Sequence, residues 1–141
     1  MLALGVYYYP EHWPEAMWEN DAARLRALGL RYVRIGEFAW SRMEPAWDQF
    51  DFGWLDRAMN VLAGAGLLVV VGTPTATPPK WLMDGHPEIA AIDAEGRPRG
   101  FGSRRDASFS SRVWRRGSSR SSRRYGAHPV FEAWQTDNKC G

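Results

Sequence analysis

Carboxylates, guanidinium groups and indole rings alternate through the first eighty-odd residues. Glu11, His12, Trp13, Arg34, Glu37, Trp40, Glu44, Trp47, Thr73, Thr77 and Trp81 carry most of the polar and aromatic chemistry there. Carboxylates and Arg hydrogen-bond to hydroxyl groups, and Trp faces cover flat apolar surfaces. That combination suits a polyhydroxylated ligand. Packing of the same indoles onto a scaffold is an equally good account of them, and the residues alone do not separate the two. Cys140 is the only cysteine, which excludes an internal disulfide and any zinc site built from several cysteines. No cofactor or metal is expected.

These residues need a frame, and the hydrophobic pattern predicts one. Ala3–Tyr9 reads as a strand ended by Pro10. Pro14 suits the first position of a helix whose apolar stripe is Trp18, Ala22, Leu25 and Leu28, with Gly29 as its stop. Tyr32–Ile35 is a second strand, followed by a Trp- and Pro-rich loop to about Phe50. Leu55, Met59 and Leu62 mark a second helix. Leu67–Val71 is a continuous apolar run of the kind buried on both faces of a parallel sheet. Strand and helix alternate at about 30-residue spacing, which predicts a βαβαβ unit. Tyr7-Tyr8-Tyr9-Pro10 stands where a dinucleotide fold would carry its Gly-rich loop, so that fold is disfavoured. The chemistry-bearing residues fall after the strand ends, the active face of a (β/α) barrel.

The chain has 141 residues and a net charge of +2. Residues 1–96 are net −6 and residues 97–141 net +8. No apolar run is long enough for a membrane helix, and Met1–Gly5 has no basic leader, so no signal peptide and a cytoplasmic setting are expected.

Several blocks, in order, resemble glycoside hydrolase family 42, the bacterial β-galactosidases. They are Gly5–Pro14 (GVYYYPEHWP), Tyr32–Ser41 (YVRIGEFAWS), Glu44-Pro45, Thr73–Leu82 (TPTATPPKWL), Phe101–Arg105 (FGSRR) and Trp134–Asn138 (WQTDN). The resemblance implies an α/β fold, a (β/α)8 TIM barrel of which residues 1–141 would be about the first four β/α units. It implies retaining hydrolysis of terminal β-galactosides by two carboxyl groups about 5–5.5 Å apart. It places Arg34, Arg104 and Asn138 in the substrate site, with Glu37 undecided between a site role and an internal ion pair to Arg34. Asn138 should be followed by the Glu acid/base, but the sequence has Lys139. A Lys holds its proton too tightly near neutral pH to act as an acid or to serve as a base afterwards. The nucleophile is expected after the seventh strand, beyond Gly141. The chain is therefore expected to be an inactive N-terminal part. An isolated half-barrel, with open edges at its first and fourth strands, is expected to associate. Family members often form trimers. Some bind zinc through cysteines, and the first of these, near Asp106–Ser108, is absent here.

Residues 97–124 contain ten Arg and eight Ser. Within them, 106–124 is expected to be an irregular Arg/Ser-rich segment unable to bury a helix face, since no apolar residue follows Val113 and Trp114 until Tyr125. A stretch translated in a shifted frame is preferred, with a disordered tail or a nucleic-acid patch as alternatives. Three functions compete: part of a β-galactosidase barrel, a non-catalytic carbohydrate-binding remnant, and an Arg-rich nucleic-acid-binding protein, the last disfavoured. Lys139→Glu alone will not create turnover, because the attacking carboxylate is still missing. Steady hydrolysis of a chromogenic β-galactoside by that variant would overturn the fragment reading.

Overall fold

The computed structural model describes residues 3–99 and 104–136. Four parallel strands form its centre: β1 (Gly5–Tyr7), β2 (Tyr32–Ile35), β3 (Leu68–Gly72) and, after two short strands named below, β6 (Phe131–Gln135). Their order is β1-β2-β3-β6, so each new strand adds to the same edge. Val33 pairs with Val6 and Val69, and Val71 with Ile35 and Trp134. The outer edges of β1 and β6 face no strand among the described residues. Four strands added in sequence with helices between them are the first four units of a (β/α) barrel, as the sequence predicts.

Alternation along the strands divides the sheet into two faces. Val33, Ile35, Val69 and Val71 are fully buried. The helices that cover them are α1 (Glu15–Ala27), through Trp18 and Ala22, and α3 (Gly53–Gly64), through Leu55, Ala58, Met59 and Leu62. Tyr32, Arg34, Leu68 and Val70 point to the other face and are only half-buried. That second face is the barrel interior. Pro14 caps α1 from just outside it, so the helix starts one residue later than expected. Leu28, expected in the stripe of α1, lies past the helix end and is 76% exposed.

The short helices α2 (Trp40–Met43) and α4 (Lys80–Gly85) sit in the loops that follow β2 and β3. A two-stranded antiparallel hairpin, β4 (Ala91–Ile92) and β5 (Pro98–Arg99), leads into the last helix. That helix, α5, runs without interruption from Arg104 to Tyr125.

Helix α5 corrects the expectation for residues 106–124. The segment is helical and does bury a face, through Trp114, Gly117, Ser121 and Tyr125. These positions follow i, i+3, i+7 and i+11, one stripe of a helix. Two aromatic rings and two small residues replace the usual aliphatic stripe. Trp114 packs edge-on against Trp40 at 5.2 Å, and Tyr125 meets Phe52 at 6.1 Å. The Ser121 hydroxyl donates to the Gly117 carbonyl at 2.7 Å, so it is buried without an unmet hydrogen bond. Beside this stripe, Arg116, Arg120 and Arg124 reach Glu44, Asp48 and Asp56 on the acidic first part of the chain.

Gly117 is required by a close approach. A Cβ there would lie 2.5 Å from the Trp114 ring. Gly→Ala inside a helix ordinarily gains up to about 1 kcal/mol. Gly117→Ala will instead lose about 1–3 kcal/mol, because the indole must leave its socket. Urea unfolding followed by circular dichroism gives the sign, and a stabilised variant would contradict the packing described.

Candidate functional site

At the C-terminal end of the sheet the backbone turns from β2 into Gly36, whose φ of +85° suits glycine. This turn sets Glu37 beside Arg34. The Arg34 side chain projects from the half-buried face of β2, and its fork is held on both sides. Its Nη2 pairs with Glu37 Oε2 at 2.7 Å, and its Nη1 donates to Gln135 Oε1 at 2.8 Å. Gln135 ends β6, two strands away. One guanidinium thus ties together the mouths of two strands that the sequence separates by 101 residues.

Tyr9, in the loop after β1, closes the cluster. Its hydroxyl donates to Glu37 Oε2 at 3.4 Å, and its ring contacts Tyr7, His12 and Phe38 with centroids 5.3–5.6 Å apart. Burial, followed by the Glu37 charge, raises the Tyr9 phenol above its ordinary pKa, so it stays a donor at neutral pH. Tyr7 is 62% exposed and Phe38 36%. The mouth therefore offers an Arg fork, an amide and a phenol beside open aromatic faces, with the Glu37 carboxylate buried behind the fork. Such a surface can hydrogen-bond to hydroxyls and stack on an apolar ring face.

The other sequence-selected residues divide. Trp40, Glu44, Trp47 and Trp81 come together in a second cluster on the outer side of the loops. Glu44 is fully buried. Its Oε2 accepts from Trp40 Nε1 at 2.9 Å, and its Oε1 accepts from the Asp48 backbone N–H at 2.9 Å and from Arg116 at 3.0 Å. Its carbonyl accepts from Trp81 Nε1 at 2.9 Å. Here the packing account of the indoles holds: Trp18, Trp40, Trp54 and Trp114 are core residues, while Trp13 and Trp47 stay more than half exposed. Arg116 lies 3.6 Å from the Trp47 ring centroid and covers one of its faces. Thr75 and Thr77, in the loop after β3, bury hydroxyls that have no hydrogen-bond partner among the described residues.

Arg104 opens α5, and its side chain is not described. Asn138 and Lys139 lie outside the described residues. Gln135 was not singled out from the sequence. The signal that could have found it is its place in the Trp134–Asn138 block, which resembles the family. Among the described residues, no group of three or more His, Cys, Asp or Glu is gathered to hold a metal ion. No described helix is long and apolar enough to cross a membrane.

The comparison with known proteins bears on this arrangement. The model of glycoside hydrolase family 42, described as beta-galactosidase, matches residues 7–141. The chain belongs to that family. The bounds of the match include the Arg/Ser-rich helix. A Thermus sp. beta-galactosidase, BgaA, is 53% identical over 98% of this chain, and one from Haloferax lucentense, BgaH, is 44% identical over 99%. Each alignment spans only 22% of the relative. Among solved structures, the beta-galactosidase of the psychrophilic Marinomonas ef1 superposes with a TM-score of 0.83 at 48% identity. It covers 99% of this chain and 22% of its own. The chain therefore spans about a fifth of the relatives it matches, and the four-stranded sheet is part of a family 42 barrel.

Glu11, in the loop after β1, is a carboxylate without support among the described residues. Both its oxygens are buried and have no hydrogen-bond partner among the described residues. Burial raises its pKa above the ordinary carboxylate value. A folded-state pKa above the unfolded value of about 4.3 means that the ionised group penalises the fold at neutral pH. Stability then rises as pH falls through the folded pKa towards the unfolded one. Glu11→Gln keeps the shape and removes the charge. It will raise the thermal midpoint at pH 7, and its advantage will shrink as the pH approaches about 4. Melting curves at the two pH values measure this, and an equal effect at both would remove the charge as the cause.

Proposed function

We propose that this chain forms the front of a β-galactosidase-type barrel, binds the sugar of terminal β-galactosides, and does not hydrolyse them by itself. The observation that carries the reading is the Arg34 fork. It is fixed by Glu37 and Gln135 at the strand mouths, beside the Tyr9 phenol and the exposed Tyr7 and Phe38 rings. A guanidinium held on two sides keeps its geometry without further loss of side-chain entropy when a ligand arrives. Arg104 and Asn138 join this surface on the strength of the family pattern.

The chemistry proposed for the whole enzyme is retaining hydrolysis. One carboxyl group protonates the leaving oxygen while a second attacks the anomeric carbon, and the first then acts as base for water. The position that follows Asn138 supplies the first of these in the family pattern, and Lys139 occupies it here. An ammonium there holds its proton too tightly near neutral pH to pass it efficiently to the leaving oxygen. A carbohydrate-binding role without catalysis is the reading left for this chain. A cytoplasmic setting fits its single cysteine, Cys140.

Galactose titration followed by Trp fluorescence tests the binding claim, with glucose as the control sugar. Galactose will give a saturable change. Arg34→Lys, which keeps the charge and loses the fork, will weaken it by about tenfold. No saturable change, or the same response from the variant, would remove Arg34 from the site.

A further inference from the structure

The arginines of α5 divide into two sets by their surroundings. Arg116, Arg120 and Arg124 each meet a carboxylate: Glu44 and Asp48, Asp48, and Asp56 respectively. Arg112 and Arg115 are exposed and pair with no carboxylate among the described residues. Arg112 only lies over the Phe109 ring, 5.7 Å from its centroid.

These two unpaired arginines share a cleft. Arg112, Arg115, Arg116 and Ser119 line an open hollow of about 440 Å³ on the outer face of α5. Their spacing is i, i+3, i+4 and i+7, so all four belong to one face of the helix. Among the described residues, the lining holds three guanidiniums and a hydroxyl and no acid. The charge of Arg116 is matched by Glu44 at 3.0 Å and Asp48 at 3.6 Å, so the surplus of positive charge rests on Arg112 and Arg115. Arg116 Nη1 is buried and faces Asp48 Oδ1, so this arginine is turned towards its carboxylates. The Ser119 hydroxyl donates to the Arg115 carbonyl at 3.1 Å, and its oxygen can still accept.

We propose that this cleft is a binding site for a tetrahedral oxyanion, a phosphate group, held by the Arg112 and Arg115 guanidiniums. Planar forks match phosphate oxygens two at a time, and a dianion offsets the two unmatched charges. Arg116, also in the lining, is held in place by Glu44 and by its contact with the Trp47 ring. The site is separate from the Arg34 mouth and does not depend on the sugar-binding reading.

Isothermal titration of the full chain with inorganic phosphate at low ionic strength tests the proposal. Chloride at equal ionic strength is the control, and each variant is checked by circular dichroism. Saturable one-to-one binding is expected. The exposed pair Arg112→Ala/Arg115→Ala will weaken it by about tenfold or more. Arg123→Ala, which removes the same type of charge from outside the cleft, will leave it within about twofold. Equal losses from the double variant and Arg123→Ala, or equal heats with chloride, would overturn the site in favour of a diffuse charge effect. A short single-stranded oligonucleotide forms the second arm. Binding of the oligonucleotide but not of phosphate would likewise overturn it, because the helix would then be a nucleic-acid track and not a single-anion pocket.

Discussion

The buried carboxylate of Glu44 is the point on which the outer loops depend. It sits where three segments meet that have no backbone hydrogen bonding in common: the loop after β2, helix α4 and helix α5. The loop sends the Trp40 indole and the Asp48 amide to its carboxylate and α5 sends Arg116, while Trp81 of α4 donates to the Glu44 backbone carbonyl. Burying a carboxylate costs several kcal/mol unless it is paired and its lone pairs are satisfied, and removing one partner strands the rest. Glu44 has both conditions met. The loop, α4 and α5 are therefore held to one arrangement together, and the mouth of β2 inherits that order through the short α2.

The same interaction explains the charge split of the sequence. A chain net −6 up to residue 96 and +8 after it looks like two unlike sequences joined. In the fold the two halves face each other. Arg116, Arg120 and Arg124 recur every fourth residue of α5 and meet Glu44, Asp48 and Asp56 in turn. Asp56 also accepts from the Tyr125 hydroxyl at 2.8 Å, and Arg124 with Tyr125 holds its carboxyl below the usual range. Exposed pairs of this kind contribute little one by one. The Glu44 pair differs because one partner is fully buried.

How far the sequence could be read follows from what each element buries. The strands were legible because Val33, Ile35, Val69 and Val71 are β-branched and lie in short apolar runs. Helices α1 and α3 were legible because Trp18, Ala22, Leu55, Met59 and Leu62 recur at helical spacing. Helix α5 was not, because its buried stripe is Trp114, Gly117, Ser121 and Tyr125. Hydrophobic periodicity counts Gly and Ser as polar, yet small residues bury a helix face by letting the neighbouring ring approach. The Arg34–Glu37 pair was visible as i, i+3 neighbours. Its third member, Gln135, was not, since a contact across 101 residues needs the strand order and not the pattern.

Arg34 shows why an internal ion pair and a binding role need not compete. Its two terminal nitrogens are each engaged by protein, which at first favours a purely structural role. But Arg carries five N–H donors, and Glu37 and Gln135 use two of them in these contacts. Its side chain keeps 21% of its exposure while Glu37 keeps 3%, so solvent still reaches the guanidinium and scarcely reaches its partner. The carboxylate thus fixes the orientation of the fork from the protein side, while part of the guanidinium stays open to solvent. A free Arg at this position would have to lose rotamer entropy on meeting a sugar. One already anchored by Glu37 and Gln135 would not, so the ion pair is compatible with the proposed binding role.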